Sequence, residues 1–110
     1  MLGLLALIAF PVQAGATTTD ECQAQITSLR ADTAATVFVN AKDQAGLLGK
    51  LDAASAALTA GKNADAIRKL TDFGTKVQAL GSTGKLGTED ADRLARAASE
   101  AIGCIESTGV

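Results

Sequence analysis

From residue 20 onward the apolar side chains recur at steps of three and four, in four successive runs, each closed by a break that a helix tolerates poorly. Cys22, Ile26, Leu29 and Thr33 form the first stripe. A helix carrying it is predicted to begin near Asp20, where Asp20 and Glu21 suit the positive end of the helix dipole. It stops at Thr36–Val39, a β-branched and aromatic run, with Phe38 expected to fold inward and plug that end. Asn40 is a good N-cap for the second helix, and Asp43 imitates the acid of a capping box. The second stripe reads Ala41, Ala45, Leu48, Leu51, Ser55 (with Ala54 beside it) and Leu58, and Gly61 occupies the left-handed C-terminal position. A third helix is predicted from Asn63, again a capping residue, burying Ile67, Leu70, Phe73, Val77 and Leu80. Gly74 lies beside that stripe, where glycine costs about 1 kcal/mol against alanine, so a close approach of a neighbouring helix is expected there. Residues 81–87 read as a flexible turn. Thr88 then caps a fourth helix, with Glu89, Asp90 and Asp92 in its first turn. Its stripe is Ala91, Leu94 or Ala95, Ala98, Ile102 and Ile105, and Gly109 falls past its end.

Four helices of similar length on short loops predict an all-α, antiparallel up-down-up-down four-helix bundle over residues 20–108. Composition agrees. The apolar share of 47% is dominated by Ala and Leu, the aromatic share is 3% (Phe10, Phe38 and Phe73), and Trp, Tyr and His are absent. A length of 110 residues allows one domain. In an even-numbered antiparallel bundle the start of the first helix and the end of the last lie together. Cys22 and Cys104 occupy those places and are expected to form one disulfide, the alternative being two unrelated buried thiols.

The N-terminus adds a compartment. Leu2–Val12 is an almost unbroken apolar run, about half the ~20 residues that span a bilayer. It leads into Val12-Gln13-Ala14, a small-residue pattern suited to signal peptidase, so residues 1–14 are expected to be a cleaved signal peptide. Ala16 offers a second cleavage position, and residues 15–19 a disordered leader. The usual basic segment is missing, since no Lys or Arg precedes Arg30. A buried N-terminal helix and an uncleaved membrane anchor are the alternatives. Export to the cell envelope, periplasm or exterior matches the expected disulfide.

Candidate chemistry is sparse. A net charge of −2 gives no footprint for nucleic acid or for an anionic membrane once the signal is removed. The cysteines have no metal-ligand spacing and no His accompanies them, so no metal site is expected. Gly84-Lys85 evokes a phosphate-binding loop, but Ala79 and Leu86 stand where glycine and a hydroxyl are required. Glu89, Asp90 and Asp92 offer oxygens to calcium without an EF-hand register. Asp65–Lys69, Asp72–Lys76, Glu89–Arg93 and Asp92–Arg96 have the spacing of solvated i,i+4 ion pairs. The serines have no His to activate them, and Phe38 and Phe73 read as core rather than as stacking platforms. No catalytic residue and no cofactor are expected.

Asn40-Ala-Lys-Asp-Gln-Ala-Gly-Leu-Leu-Gly-Lys-Leu-Asp-Ala-Ala-Ser, with Leu58-Thr-Ala-Gly-Lys-Asn-Ala-Asp-Ala-Ile-Arg-Lys-Leu-Thr-Asp-Phe after it, resembles the FIMAH module. That small helical unit occurs as a repeat or tail in bacterial and archaeal secreted and surface proteins. The matching features fall on Leu47–Ala54, Gly61–Asn63, Ala66–Phe73 and Ala91–Ile105, and the likeness covers residues 40 to 106. It implies a helical fold and transfers no catalytic residue. The functional expectation is an exported, non-enzymatic structural or protein-interaction module with an unidentified protein partner. The alternatives are a small ligand held in the bundle interior, or an accessory unit to a secreted hydrolase.

Overall fold

The computed structural model describes residues 18–108, which form four helices: α1 (Thr19–Ala35), α2 (Ala41–Thr59), α3 (Asn63–Ser82) and α4 (Thr88–Thr108). The expected signal segment 1–14, the position after Ala16, and Gly109 lie outside the described residues. Each helix packs on its two neighbours in the ring α1–α2–α3–α4. The contacts run in the antiparallel sense: Gln23 meets Ser55 and Thr59, Asp43 meets Lys76, Gly81 faces Ala91, and Cys22 is joined to Cys104. This is an all-α four-helix bundle carrying one disulfide, with the sense expected of up-down-up-down connections.

The helix ends show why the chain divides as it does. Thr18 and Glu21 form a full capping box, Glu21 N–H donating to Thr18 Oγ1 (3.2 Å) and Thr18 N–H to Glu21 Oε1 (2.9 Å). Helix α1 therefore starts at Thr19, and the last residues of the expected leader 15–19 belong to its beginning. Asn40 caps α2 as expected, accepting from Lys42 N–H (2.8 Å). Asp43 does not close a box with it; its carboxylate turns to Lys76 at 3.9 Å. Helices α2 and α3 both end in Schellman motifs. Lys62 N–H donates to Ala57 O (2.8 Å) across Gly61, and Lys85 N–H to Leu80 O (2.9 Å) across Gly84, with the glycines at φ +79° and +78°. The first motif hands the chain straight into α3, so Lys62 takes the N-cap place without a side-chain bond and Asn63 is not the cap.

The core is a strict alternation of three and four residues, and it corrects five expected positions. Helix α2 buries Leu47, Leu51, Ala54 and Leu58, while Leu48 is half-buried and Ala41 and Ala45 are exposed. Helix α3 buries Ala66 in place of Ile67, together with Leu70, Phe73, Val77 and Leu80. Helix α4 buries Ala91, Leu94, Ala98, Ala101 and Ile105, with Ile102 displaced to the flank. Leu58 and Leu51 set the phase of α2. At 100° per residue Leu47 falls about 40° from Leu51 on the core side, and Leu48 about 60° to the other side, next to the flank where Ser55 meets α1.

Both loops at the end remote from the disulfide contribute plugs. Phe38 packs against the core as expected, whereas Val37 and Val39 point outward, 83% and 77% exposed. Val39 N–H donates to Lys85 O (3.3 Å), tying that loop to the α3–α4 connection. The connection is shorter and less free than expected: Gly81 and Ser82 are helical, and Leu86 is buried at 3% exposure. The close approach anticipated at Gly74 is found instead at Gly81, where a Cβ would lie 2.7 Å from the Ala91 Cβ; around Gly74 there is open space.

Candidate functional site

Cys22 lies on the first turns of α1 and Cys104 on the last turns of α4, and the chain's antiparallel course brings them to a Cα–Cα distance of 5.6 Å, 82 residues apart in sequence. The expected disulfide is formed. Helix α1 supplies few apolar residues to the interior (Cys22, Ile26 and Leu29), and its remaining attachments are polar. Gln23 Nε2 donates to Ser55 O (2.9 Å) and Thr59 Oγ1 (2.8 Å), and Ser55 Oγ donates back to Gln23 Oε1 (2.7 Å). Midway, Arg30 and Asp52 form an ion pair at 2.6 Å. At the far end Gln44 Nε2 sits 3.1 Å from each of the carbonyl oxygens of Thr33, Ala34 and Thr36, closing the C-terminus of α1 from a neighbouring helix. Arg93 reaches from α4 to both carboxylate oxygens of Asp32 (3.0 and 3.1 Å), to Thr36 Oγ1 (3.1 Å) and to Asp90 (2.6 Å).

These ties replace the i,i+4 pairs expected from the sequence, none of which is among the ion pairs of the described residues. Asp65 pairs with Arg68, Asp90 rather than Glu89 with Arg93, and Asp43 rather than Asp72 with Lys76. A bidentate partner across a seam, as Asp32 is to Arg93, holds a guanidinium better than a single oxygen one turn away. Hydrogen bonds to Asp32 and then Asp90 raise the Arg93 pKa above its ordinary value, and the Arg30 hydrogen bond lowers that of Asp52.

Concave surface occurs along the seams between helices. The α1–α4 seam carries two adjoining grooves, one of about 260 Å³ over Ala24, Ser28, Asp32 and Ala97, and one of about 380 Å³ over Glu21, Gly103, Cys104 and Ser107; Gln25 and Glu100 line both. The α3–α4 seam has a trough of about 260 Å³ floored by Leu70, Gly74, Ala98 and Ile102 and rimmed by Thr71, Thr75, Gln78 and Ser99, with no charged residue. Gly74 thus opens a groove rather than admitting a helix. Gly84 serves the Schellman turn and Lys85 is exposed, so the phosphate-loop resemblance has a structural origin. Among the described residues no group of three or more His, Cys, Asp or Glu is gathered for a metal ion. Comparison with known proteins finds no matching family model, no similar curated protein and no similar solved structure.

Proposed function

We propose that the chain is an exported, non-catalytic helical module that presents a helix seam to a protein partner in the cell envelope or outside the cell. The observation that carries this reading is where the polar and concave features fall. Leu70, Phe73, Leu94 and Ile105 fill the interior at 0% exposure, and the grooves described lie along the surface between helices. The buried polar side chains Thr33 and Thr36 spend their hydroxyls on backbone carbonyls. A disulfide joining α1 to α4 suits an oxidising compartment. No helix among the described residues is long and apolar enough to cross a membrane. The likeness of residues 40–106 to the FIMAH module of secreted and surface proteins points the same way. The α3–α4 trough is the favoured face, because it is apolar and uncharged with a hydroxyl-bearing rim.

The test places a photo-reactive residue at Thr75 in the α3–α4 trough or at Ser28 in the α1–α4 seam, with irradiation in the native host. A single defined protein adduct from the Thr75 position alone is the expected result. Turnover of any substrate by the purified chain, or absence of an adduct from both positions, overturns the proposal.

A further inference from the structure

The two half-cystines of the clasp are not equivalent. Cys22 is fully buried at 0% exposure, while Cys104 retains 8% and lines the open groove with Glu21, Gln25, Glu100, Gly103 and Ser107. Their places in the helices differ as well. Cys22 lies within the first turns of α1, its N–H bonded to Thr18 O. Cys104 lies toward the negative end of α4. In thiol–disulfide exchange the half-cystine that an attacking thiolate can reach is the one attacked, and Cys104 is the one that borders open surface.

We propose that the Cys22–Cys104 bond is a directional thiol-exchange site, opened by a dithiol reductant that attacks Sγ of Cys104 through the groove. The incoming thiolate forms a bond to Cys104 Sγ, the disulfide breaks, and its electron pair leaves on Cys22 Sγ, which takes a proton from water. The reductant's second thiolate then attacks its own sulfur in the mixed disulfide, forming the reductant's internal disulfide and releasing Cys104, which is protonated in turn. Two electrons and two protons pass from the dithiol to the cystine.

The groove also selects its reductant by charge. Glu21 and Glu100 line it, Asp20 and Glu106 are exposed on the same helix ends, and residues 18–29 and 97–108 contain no Lys or Arg. The bases nearest this end are Lys62, Arg68 (paired with Asp65) and Lys69 toward the start of α3, and Arg96, one turn before Glu100 on α4. An attacking thiolate on a cationic or neutral carrier is therefore preferred over one on an anionic carrier. Opening leaves α1 held by Ile26, Leu29 and the polar ties at Gln23, Arg30, Gln44 and Arg93, while α2, α3 and α4 keep their shared core.

The oxidised full chain is exposed briefly to cysteamine or to mercaptoethanesulfonate, then alkylated, and the adducts are mapped by mass spectrometry. The adduct is expected on Cys104, with the alkyl group on Cys22. Cysteamine should outpace the sulfonate by about tenfold at low salt, after normalising each reagent to a small-molecule disulfide, and the ratio should collapse at high salt and shrink in Glu100→Gln. Adducts mainly on Cys22, or a reduction rate that stops rising with thiol concentration at the global unfolding rate, overturn the proposal. After full reduction, amide exchange should accelerate in α1 while α3 and α4 stay protected. Equal loss across all four helices counts against a local opening.

Discussion

Gly74 and Gly81 both lie in α3, yet alanine at the two positions should move stability in opposite directions. The helical backbone gains about 0.5–1 kcal/mol at either site when glycine becomes alanine. At Gly74 nothing lies within 4 Å of the added methyl, so the gain should appear undiminished. At Gly81 the methyl would stand 2.7 Å from the Ala91 Cβ, whereas ordinary contact begins at 3.4 Å. Neither atom can rotate away, because alanine has no rotamers. The α3 and α4 backbones must part by roughly 0.7 Å, and such overpacking typically costs about 1–3 kcal/mol. The two variants should therefore differ by about 2 kcal/mol, or roughly 10 °C in Tm for a domain of this size. Thermal unfolding followed by far-UV circular dichroism, with urea titration to check that the slope is unchanged, reads the difference. Ala91→Gly in the Gly81→Ala background should recover part of the loss, since it removes the opposing methyl. If Gly81→Ala raises Tm as much as Gly74→Ala does, the close helix crossing is wrong.

Other outcomes follow from the ties on α1. Replacing both Cys22 and Cys104 by alanine removes a cross-link spanning 82 residues, for which chain entropy gives about 4–5 kcal/mol as an upper guide; a Tm change under about 5 °C contradicts it. Gln44→Ala strips the amide from three carbonyls and should cost about 1–2 kcal/mol, with faster amide exchange confined at first to the C-terminal turn of α1. The Asp52 carboxyl, held below the ordinary carboxylate range by Arg30, should titrate there by NMR. Its folded-state pKa is depressed, so its small contribution to stability is present above the unfolded pKa and fades as pH falls through the folded one. Arg30→Gln should return that titration to the ordinary range; an Asp52 already titrating there in the unaltered chain removes the ion pair from solution.

The four stripes were legible because helical periodicity survives any bundle geometry, and the caps at Asn40 and Gly61 were legible because their chemistry is local. The phase of each stripe was less so wherever two apolar residues adjoin. The stripes expected from the sequence fall one residue late at Leu48, Ile67 and Ile102, and the structure buries Leu47, Ala66 and Ala101. Cys22 and Cys104 join α1 and α4 at one end of the bundle. The layers nearest that end take Ala54, Ala66 and Ala101, and the bulkier Ile67 and Ile102 move to the flanks. Displaced there, Ile102 becomes part of the floor of the α3–α4 trough. Gln44 at the end of α1 and Arg93 with Asp32, 61 residues away in sequence, were not legible for a related reason. Such partners are chosen by how far each helix is rotated about its axis, and a repeat of three and four defines the buried face only to within a residue. That same rotation decides which side chains line a seam. A sequence pattern that identifies the bundle and its clasp can therefore leave the interaction face undetermined until Leu47 and Leu48, or Ala101 and Ile102, are told apart.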